Sequence, residues 1–130
     1  MLVVDASVTV AACYAAGGFD EFRTEQLVAP PLMWSEARSA LHELLWRGEL
    51  TREDADATRS RLEHAPIEAR RHRSLGEQAW RIADEFGWAR TYDAEYVALA
   101  QLLDCRLVTL DARLRRSTAR LDLVIAPSEI

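Results

Sequence analysis

The sequence contains no lysine, and all 16 of its basic residues are arginine. Chemistry that depends on an ammonium group is therefore excluded, including Schiff-base catalysis and the P-loop nucleotide hydrolases with their Gly-Lys-Ser/Thr motif. The formal net charge is -5, which argues against a protein that coats nucleic acid through a broad basic face, because phosphate neutralisation supplies most of that affinity. Any role in nucleic-acid chemistry must then be confined to a local site.

Long apolar runs and cysteine frameworks are also missing. No run reaches the ~18 apolar residues that span a bilayer, and the N-terminal Met-Leu-Val-Val-Asp lacks the pattern of a secretory signal. We therefore expect a cytoplasmic protein that does not contact a membrane. Cys13 and Cys105 lie far apart inside apolar stretches, which predicts two buried free thiols. The spacing of His42, His64 and His72 fits no zinc site.

Short apolar runs alternate with helical patterns along the 130 residues, so we expect one domain over 1–130. Strands are predicted at 2–4, 27–29, 107–110 and 123–126, with 67–69 ambiguous, and helices at 6–14, 32–47, 74–86 and 92–103. A further helix is predicted from its cap at Thr51 to about residue 64. Continuously apolar strands are typical of a parallel sheet covered by helices on both faces, which makes the expected class α/β. Ligands then bind beyond the carboxyl ends of the strands.

Four carboxylates are candidates for such a site. Asp5 and Asp111 each end a predicted strand where the next helix begins, although helix capping alone would explain either residue. Asp93 shares a helix face with apolar neighbours, so we expect its side chain to point along the apolar stripe, where a carboxylate needs a partner. Glu36 borders the apolar stripe of its helix and, taken alone, indicates surface charge.

Taken together, the four acids indicate a metal site, although each alone indicates a helix cap or surface charge. Acids that converge at one sheet edge repel one another, and the chain has no lysine to neutralise them. Mg²⁺ or Mn²⁺ is the natural counter-charge, because hard cations prefer carboxylate oxygens. A cation of this kind lowers the pKa of a water for attack on phosphorus and stabilises the leaving oxygen. Hydrolysis of a phosphodiester is therefore the expected chemistry.

Four segments carry a family resemblance in the right order. They are the N-terminal Val-Val-Asp-Ala-Ser and the segments at 35–41, 91–100 and 107–114, of which Tyr-Asp-Ala-Glu-Tyr-Val-Ala-Leu-Ala is the most specific. The chain resembles PIN-domain ribonucleases and, more narrowly, the VapC toxins of toxin–antitoxin pairs. The resemblance implies a Mg²⁺- or Mn²⁺-dependent endoribonuclease acting on RNA, with a parallel sheet of about five strands. It also implies a cognate antitoxin and a homodimer.

The resemblance also implies roles for single residues. The acidic quartet of the family is matched by Asp5, Glu36, Asp93 and Asp111. The metal residues are expected to be Asp5, Asp93 and Asp111, of which Asp5 and Asp93 bind the metal directly, while Glu36 and Asp111 orient the attacking water. Ser7 and Thr109 match supporting hydroxyls. The chain departs from many relatives at Ala6, where they carry a hydroxyl residue, which puts in doubt only the hydrogen bonds around the ligands.

Binding surfaces are also suggested by the sequence. Four arginines flank the acids in the sequence and suit RNA phosphate: Arg90, Arg113, Arg115 and Arg116. Arg113 is equally well explained as a solvated residue in the first turn of a helix, and the Arg115–Arg116 pair as a solvated helix face. Trp46 lies opposite the apolar stripe of its helix. It is interpreted either as an aromatic that an antitoxin or second subunit covers, or as one buried by a neighbouring helix, and the usual burial of tryptophan favours the second.

Two other functions remain as alternatives. A catalytically silent PIN-like module that binds RNA or protein has no reason to retain four mutually repelling acids. Removing metal with EDTA and adding Mn²⁺ in the presence of RNA separates it from a nuclease. A metal-dependent phosphatase acting on small phosphate esters would use the same acids, and a mononucleotide assay beside the RNA assay separates that activity.

Overall fold

The structure is a computed structural model that describes residues 1–130. Its sheet has five parallel strands in the order β3-β2-β1-β4-β5. The strands are β1 (Leu2–Val4), β2 (Leu27–Ala29), β3 (Ile67–Ala69), β4 (Arg106–Val108) and β5 (Val124–Ile125). The helices are α1 (Ala6–Tyr14), α2 (Leu32–Trp46), α3 (Arg52–Glu63), α4 (Leu75–Phe86), α5 (Tyr92–Leu102) and α6 (Ala112–Ser117). The predicted α/β class with a five-stranded parallel sheet is confirmed.

The helices form two groups. Helices α1, α2 and α3 pack on one another, whereas α4 packs on α5, and α5 lies against β1 and β4. The chain crosses the sheet in one direction from β1 to β3 and in the other from β4 to β5, so right-handed crossovers place the groups on opposite faces. The central strands are therefore buried on both sides within a core cluster of 27 residues. This double burial explains their unbroken apolar sequences.

Strand order reverses between β1 and β4, which are hydrogen-bonded neighbours. A crevice forms outside the carboxyl ends of strands at such a point. Asp5 follows β1 directly, but β4 ends at Val108, so the prediction of a strand reaching Leu110 is wrong. The partner registers explain this: Val108 pairs with Val4 on one side and Ile125 on the other, and both neighbouring strands stop there. The predicted strand at 123–126 is likewise trimmed, to β5.

Helix ends follow the sequence signals closely. The Thr51 side chain caps α3 by accepting a hydrogen bond from the Asp54 backbone N–H at 3.1 Å. Gly87 ends α4 with a left-handed φ of 68°, a conformation that glycine adopts without steric cost. The ambiguous segment Ile67–Ala69 is a strand that pairs with β2 at the sheet edge. None of the helices is both long and apolar enough to cross a membrane.

Two predictions about burial need correction. Trp46 is 81% exposed, so the favoured interpretation that a neighbouring helix buries it is wrong. It is the last residue of α2, which buries Met33, Ala37 and Leu41 instead. Cys13 is buried as expected, but Cys105 is only half-buried, because it lies in the turn between α5 and β4.

Candidate active site

Asp5 is held rigidly at the end of β1. Its Oδ1 accepts hydrogen bonds from the Ser7 hydroxyl at 2.6 Å and the Val8 backbone N–H at 3.0 Å, while its Oδ2 accepts one from the Thr109 hydroxyl. The side chain caps α1, as the capping interpretation requires, and the residue is 7% exposed. Burial raises the pKa of Asp5, the three hydrogen bonds oppose that rise, and the charge of Asp111 adds to it.

Two hydroxyls connect the ends of β1 and β4. The Thr109 Oγ1, fully buried, donates to Asp5 and accepts from the Asp111 backbone N–H at 2.9 Å. The Ser7 Oγ donates to Asp5 and accepts from the Leu110 backbone N–H at 3.1 Å. The structure therefore places Ser7 and Thr109 directly beside Asp5, and both also bind the segment that follows β4.

Asp111 lies at the far end of that segment. Its Oδ1 accepts hydrogen bonds from the backbone N–H groups of Arg113 at 2.8 Å and Leu114 at 3.1 Å, so it caps α6. No hydrogen bond occupies its Oδ2. The charge of Asp111 raises the pKa of both Asp5 and Asp93, which places all three acids within electrostatic reach of one another.

Asp93 lies in the first turn of α5 and makes no side-chain hydrogen bond. The residue is exposed, so the expectation that it points along an apolar stripe is wrong. Helix α5 has no single stripe, because its residues 96–100 are all buried. Lost hydration at the carboxylate raises the pKa of Asp93, the charges of Asp111 and Asp5 raise it further, and the Arg113 guanidinium opposes the rise.

Glu36, on α2, reaches the same group from the other helical layer. Its Oε2 accepts a hydrogen bond from the Tyr96 hydroxyl at 2.6 Å. Burial raises the pKa of Glu36, the Tyr96 bond opposes this, and the charges of Asp93, Asp5 and Glu95 add to it. Burial and the contact with Glu36 also raise the pKa of Tyr96. Sequence reasoning did not assign Tyr96 to the site; the available signal was that a buried tyrosine hydroxyl needs a hydrogen-bond partner.

None of the four acids forms an ion pair. The ion pairs of the protein involve other residues, and Asp5, Glu36, Asp93 and Asp111 belong to none of them. No three His, Cys, Asp or Glu side chains are placed to hold a metal ion together. Mg²⁺, however, usually keeps several waters and binds through one or two carboxylates. This donor set of unneutralised carboxylates therefore fits a largely hydrated hard cation.

A cavity of about 660 Å³ opens beside the acids. Glu36 and Asp93 line its acidic side, Arg90 and Arg113 contribute positive charge, and the aromatic side chains of Trp88 and Tyr92 complete the walls. Arg115 and Arg116 do not line it. The arrangement combines carboxylates suited to a metal with guanidinium groups suited to phosphate. Together these groups are suited to the hydrolysis of a phosphodiester. Sequence reasoning did not assign Trp88 or Tyr92 to the site.

Comparisons with known proteins agree with this geometry. Residues 2–119 match the family described as PIN domain. The chain is 38% identical to VapC ribonuclease Mb0985 of Mycobacterium bovis over 88% of both chains, and equally to Ribonuclease VapC9 of Mycobacterium tuberculosis. It also resembles the crystal structure of PAE2754 from Pyrobaculum aerophilum, with a TM-score of 0.74 and 26% identity over 98% of this chain and 90% of that one. The chain therefore belongs to the PIN-domain family and is related to the VapC ribonucleases.

Proposed function

We propose that this protein is a Mg²⁺- or Mn²⁺-dependent endoribonuclease and the toxin of a type II toxin–antitoxin pair. The observation that carries the proposal is the set of four carboxylates that form no ion pair at the point of strand reversal, beside a cavity with two arginines. The 38% identity to VapC ribonucleases supports the same activity. The functional unit is the PIN domain over residues 1–130.

Asp5 and Asp93 are the proposed direct metal ligands, with the free Oδ2 of Asp111 beside them. A cation held there would lower the pKa of a water for attack on phosphorus and stabilise the charge of the leaving oxygen. The three hydrogen bonds to Asp5 hold its carboxylate in one orientation. Those from Ser7 and Thr109 are the proposed supporting contacts.

Glu36 is the proposed acceptor for a proton of the attacking water, together with Asp111. The Tyr96 hydroxyl occupies Oε2 of Glu36, which leaves Oε1 to accept that hydrogen bond. The raised pKa of Glu36 makes it a better proton acceptor than an ordinary surface glutamate. Arg113 and Arg90 line the cavity where the phosphate enters, and their guanidinium forks suit its oxygens.

Cleavage of bulk RNA by purified variants tests this proposal. Asp93→Asn and Asp5→Asn are each expected to lower the metal-dependent rate by roughly a thousandfold, because each removes a charge that holds the cation. Asp56→Asn, an exposed acid on α3, is the matched control and keeps the rate. EDTA abolishes wild-type cleavage and added Mn²⁺ restores it. Circular dichroism verifies that the variants are folded.

Three outcomes contradict parts of the proposal. Cleavage at the wild-type rate by the Asp5→Asn/Asp93→Asn double variant would show that the acids do not catalyse it. Absence of any new RNA fragment with Mn²⁺ would favour a silent binding module. Hydrolysis of mononucleotide esters without RNA cleavage would identify a phosphatase instead.

An antitoxin and a homodimer are the proposed protein partners. Trp46 is 81% exposed and Trp80 is 66% exposed, and aromatic side chains of this kind commonly anchor interfaces. The product of a small reading frame directly upstream, expressed with this chain, is expected to form a complex with it and to stop RNA cleavage. Sedimentation of the chain alone checks the homodimer, and Trp46→Ala checks the contribution of that side chain. A monomer at every concentration contradicts the homodimer.

A further inference from the structure

Two aromatic residues that line the cavity, Trp88 and Tyr92, have no part in the acid chemistry. Tyr92 is 57% exposed although it belongs to the first turn of α5, next to Asp93. Trp88, half-buried, lines the same cavity from the segment that joins α4 to α5. An aromatic ring left open at the mouth of a polar cavity offers a flat apolar surface to a ligand.

The Trp88 side of the cavity wall is rigid. The Trp88 ring stacks on Phe86, with centroids 5.2 Å apart and an interplanar angle of 25°. The Arg120 guanidinium lies 4.4 Å from the centroid of Phe86 and pairs with Glu85 at 2.8 Å. The left-handed Gly87 between the two rings completes the helix cap, in which the Trp88 backbone N–H donates to Ala83 at 2.9 Å. Little side-chain freedom of Trp88 would therefore be lost when a planar ligand stacks on it.

The cations of the cavity are free to bind an anion. Arg90 and Arg113 are exposed, line the cavity and take part in no ion pair. Arg113 acts on the pKa of Asp93, so its charge lies near the acidic edge. The cavity thus places guanidinium groups for phosphate beside aromatic faces for a planar ring, and a nucleotide joins those two chemistries in one ligand.

We propose that Tyr92 and Trp88, which line the same cavity, form the base-stacking subsite of this nuclease, with Arg90 and Arg113 holding the adjoining phosphates. The proposal rests on the proposed ribonuclease function and adds the residues that select the substrate at that site. A base inside an A-form helix is already stacked on both faces and cannot reach the wall. The subsite therefore requires an unpaired base next to the phosphate that is cut.

Binding without metal tests the subsite separately from catalysis. Fluorescence anisotropy in EDTA compares three labelled probes: a short single-stranded ribo-oligonucleotide, its blunt duplex, and a ribose-phosphate oligomer of equal length without bases. Wild type is expected to bind the single strand about tenfold more tightly than the base-free oligomer, and Tyr92→Ala to remove that difference. Tyr92→Phe keeps it. Tyr14→Ala is the matched control, because Tyr14 is 54% exposed and lies outside the cavity.

The phosphate part of the subsite is tested by salt dependence. Arg113→Gln is expected to reduce the slope of log affinity against log salt by about 0.7, the value for one single-strand phosphate contact. Arg59→Gln, an exposed arginine on α3 without an ion pair, leaves the slope unchanged. An equal loss in both variants shows that the attraction is general to the surface and overturns the assignment of Arg113.

The outcomes separate this inference from the function it rests on. If the protein cleaves RNA but Tyr92→Ala binds and cleaves like Tyr14→Ala, the subsite is wrong and the nuclease stands. If the single strand binds no better than the base-free oligomer, the stacking wall is likewise excluded. If no RNA is cleaved under any metal condition but the base-dependent binding disappears in Tyr92→Ala, the subsite stands and the proposed catalysis fails.

Discussion

Apart from Asp111, the acidic site divides into two halves that differ in how many hydrogen bonds hold their carboxylates. The fixed half is Asp5 with Ser7 and Thr109, where every member is hydrogen-bonded between the ends of β1 and β4. The open half is Asp93 and Glu36 on the cavity, where one carboxylate has no hydrogen bond and the other has one.

The same direction of pKa shift arises differently in the two halves. For Asp5, burial and, to a smaller extent, the charge of Asp111 raise the pKa against three opposing hydrogen bonds. For Asp93, lost hydration is reinforced by the charges of two neighbouring acids and opposed only by Arg113. A carboxylate held by its own protein keeps its position whether or not a ligand is bound, whereas one without partners has its hydrogen-bonding capacity left for a ligand. We therefore expect the fixed half to support the fold and to keep Asp5 in the same position with or without metal, and the open half to change when a ligand binds.

The largest expected effect is the stabilisation of the protein by metal. Mn²⁺ at about a hundredfold above its dissociation constant adds about 2.7 kcal/mol to the free energy of unfolding, because it binds only the folded state. Asp93→Asn is expected to lose most of that gain, since Asp93 is a proposed direct ligand, while Asp56→Asn retains it. Thermal unfolding with and without Mn²⁺ measures both. A full gain in Asp93→Asn contradicts the assignment of that residue as a ligand.

Thr109→Val tests the fixed half. The replacement keeps the shape but leaves the Asp5 Oδ2 and the Asp111 backbone N–H without their partner, which costs about 2 kcal/mol of unfolding free energy. Thr118→Val is the control, because Thr118 is equally buried but its hydroxyl only donates to the Leu114 carbonyl, and a loss of about 0.5–1 kcal/mol is expected. Urea unfolding measures the two. Equal losses would show that the fixed half is no more tightly built than an ordinary helix end.

Tyr96→Phe tests whether the open half is as loosely built as its contacts indicate. The variant removes the only hydrogen bond to the Glu36 side chain, but Glu36 is half-buried and water can replace the hydroxyl. A loss of about 1 kcal/mol is therefore expected in urea unfolding, with Tyr14→Phe unchanged as the control. A loss as large as that of Thr109→Val breaks the contrast between the halves.

The smallest expected effect is a dependence of metal-free stability on pH. The pKa of Asp93 is raised from 3.8 in the folded protein, so the folded state binds more protons than the unfolded one above that value. The contribution of the Asp93 side chain to the free energy of unfolding is fully present below pH 3.8 and is lost as pH rises through its pKa in the folded protein. In EDTA, the melting temperature of Asp93→Asn relative to wild type should therefore increase with rising pH. A difference that falls with rising pH would falsify the assigned direction.

The positions of Asp5 and Asp111 could be predicted because they depend on local rules. Each follows a short apolar strand and each caps the next helix, and parallel strands bring their carboxyl ends to one edge. The caps at Thr51 and Gly87 were predictable for the same reason, since a helix end is satisfied by residues close in the chain.

Contacts between distant elements could not be predicted in this way. The bond from Tyr96 to Glu36 joins α5 to α2, and neither helix pattern contains that information. The exposure of Trp46 depends on which side of α2 its neighbours cover. The end of β4 is set by the register of β1 and β5, not by the apolar residues that continue beyond it.

The sequence by itself determined the α/β class, the helix caps and the absence of any lysine counter-charge, because each depends on residue type or local spacing, and its family resemblance supplied the four candidate acids. Only the tertiary structure decided that Asp5 is locked and Asp93 is open, and that Trp88, Tyr92, Arg90 and Arg113 share a cavity with the acids. Burial, hydrogen-bond partners and cavity walls are relations between residues far apart in the chain, and they exist only once the sheet and both helical layers have packed.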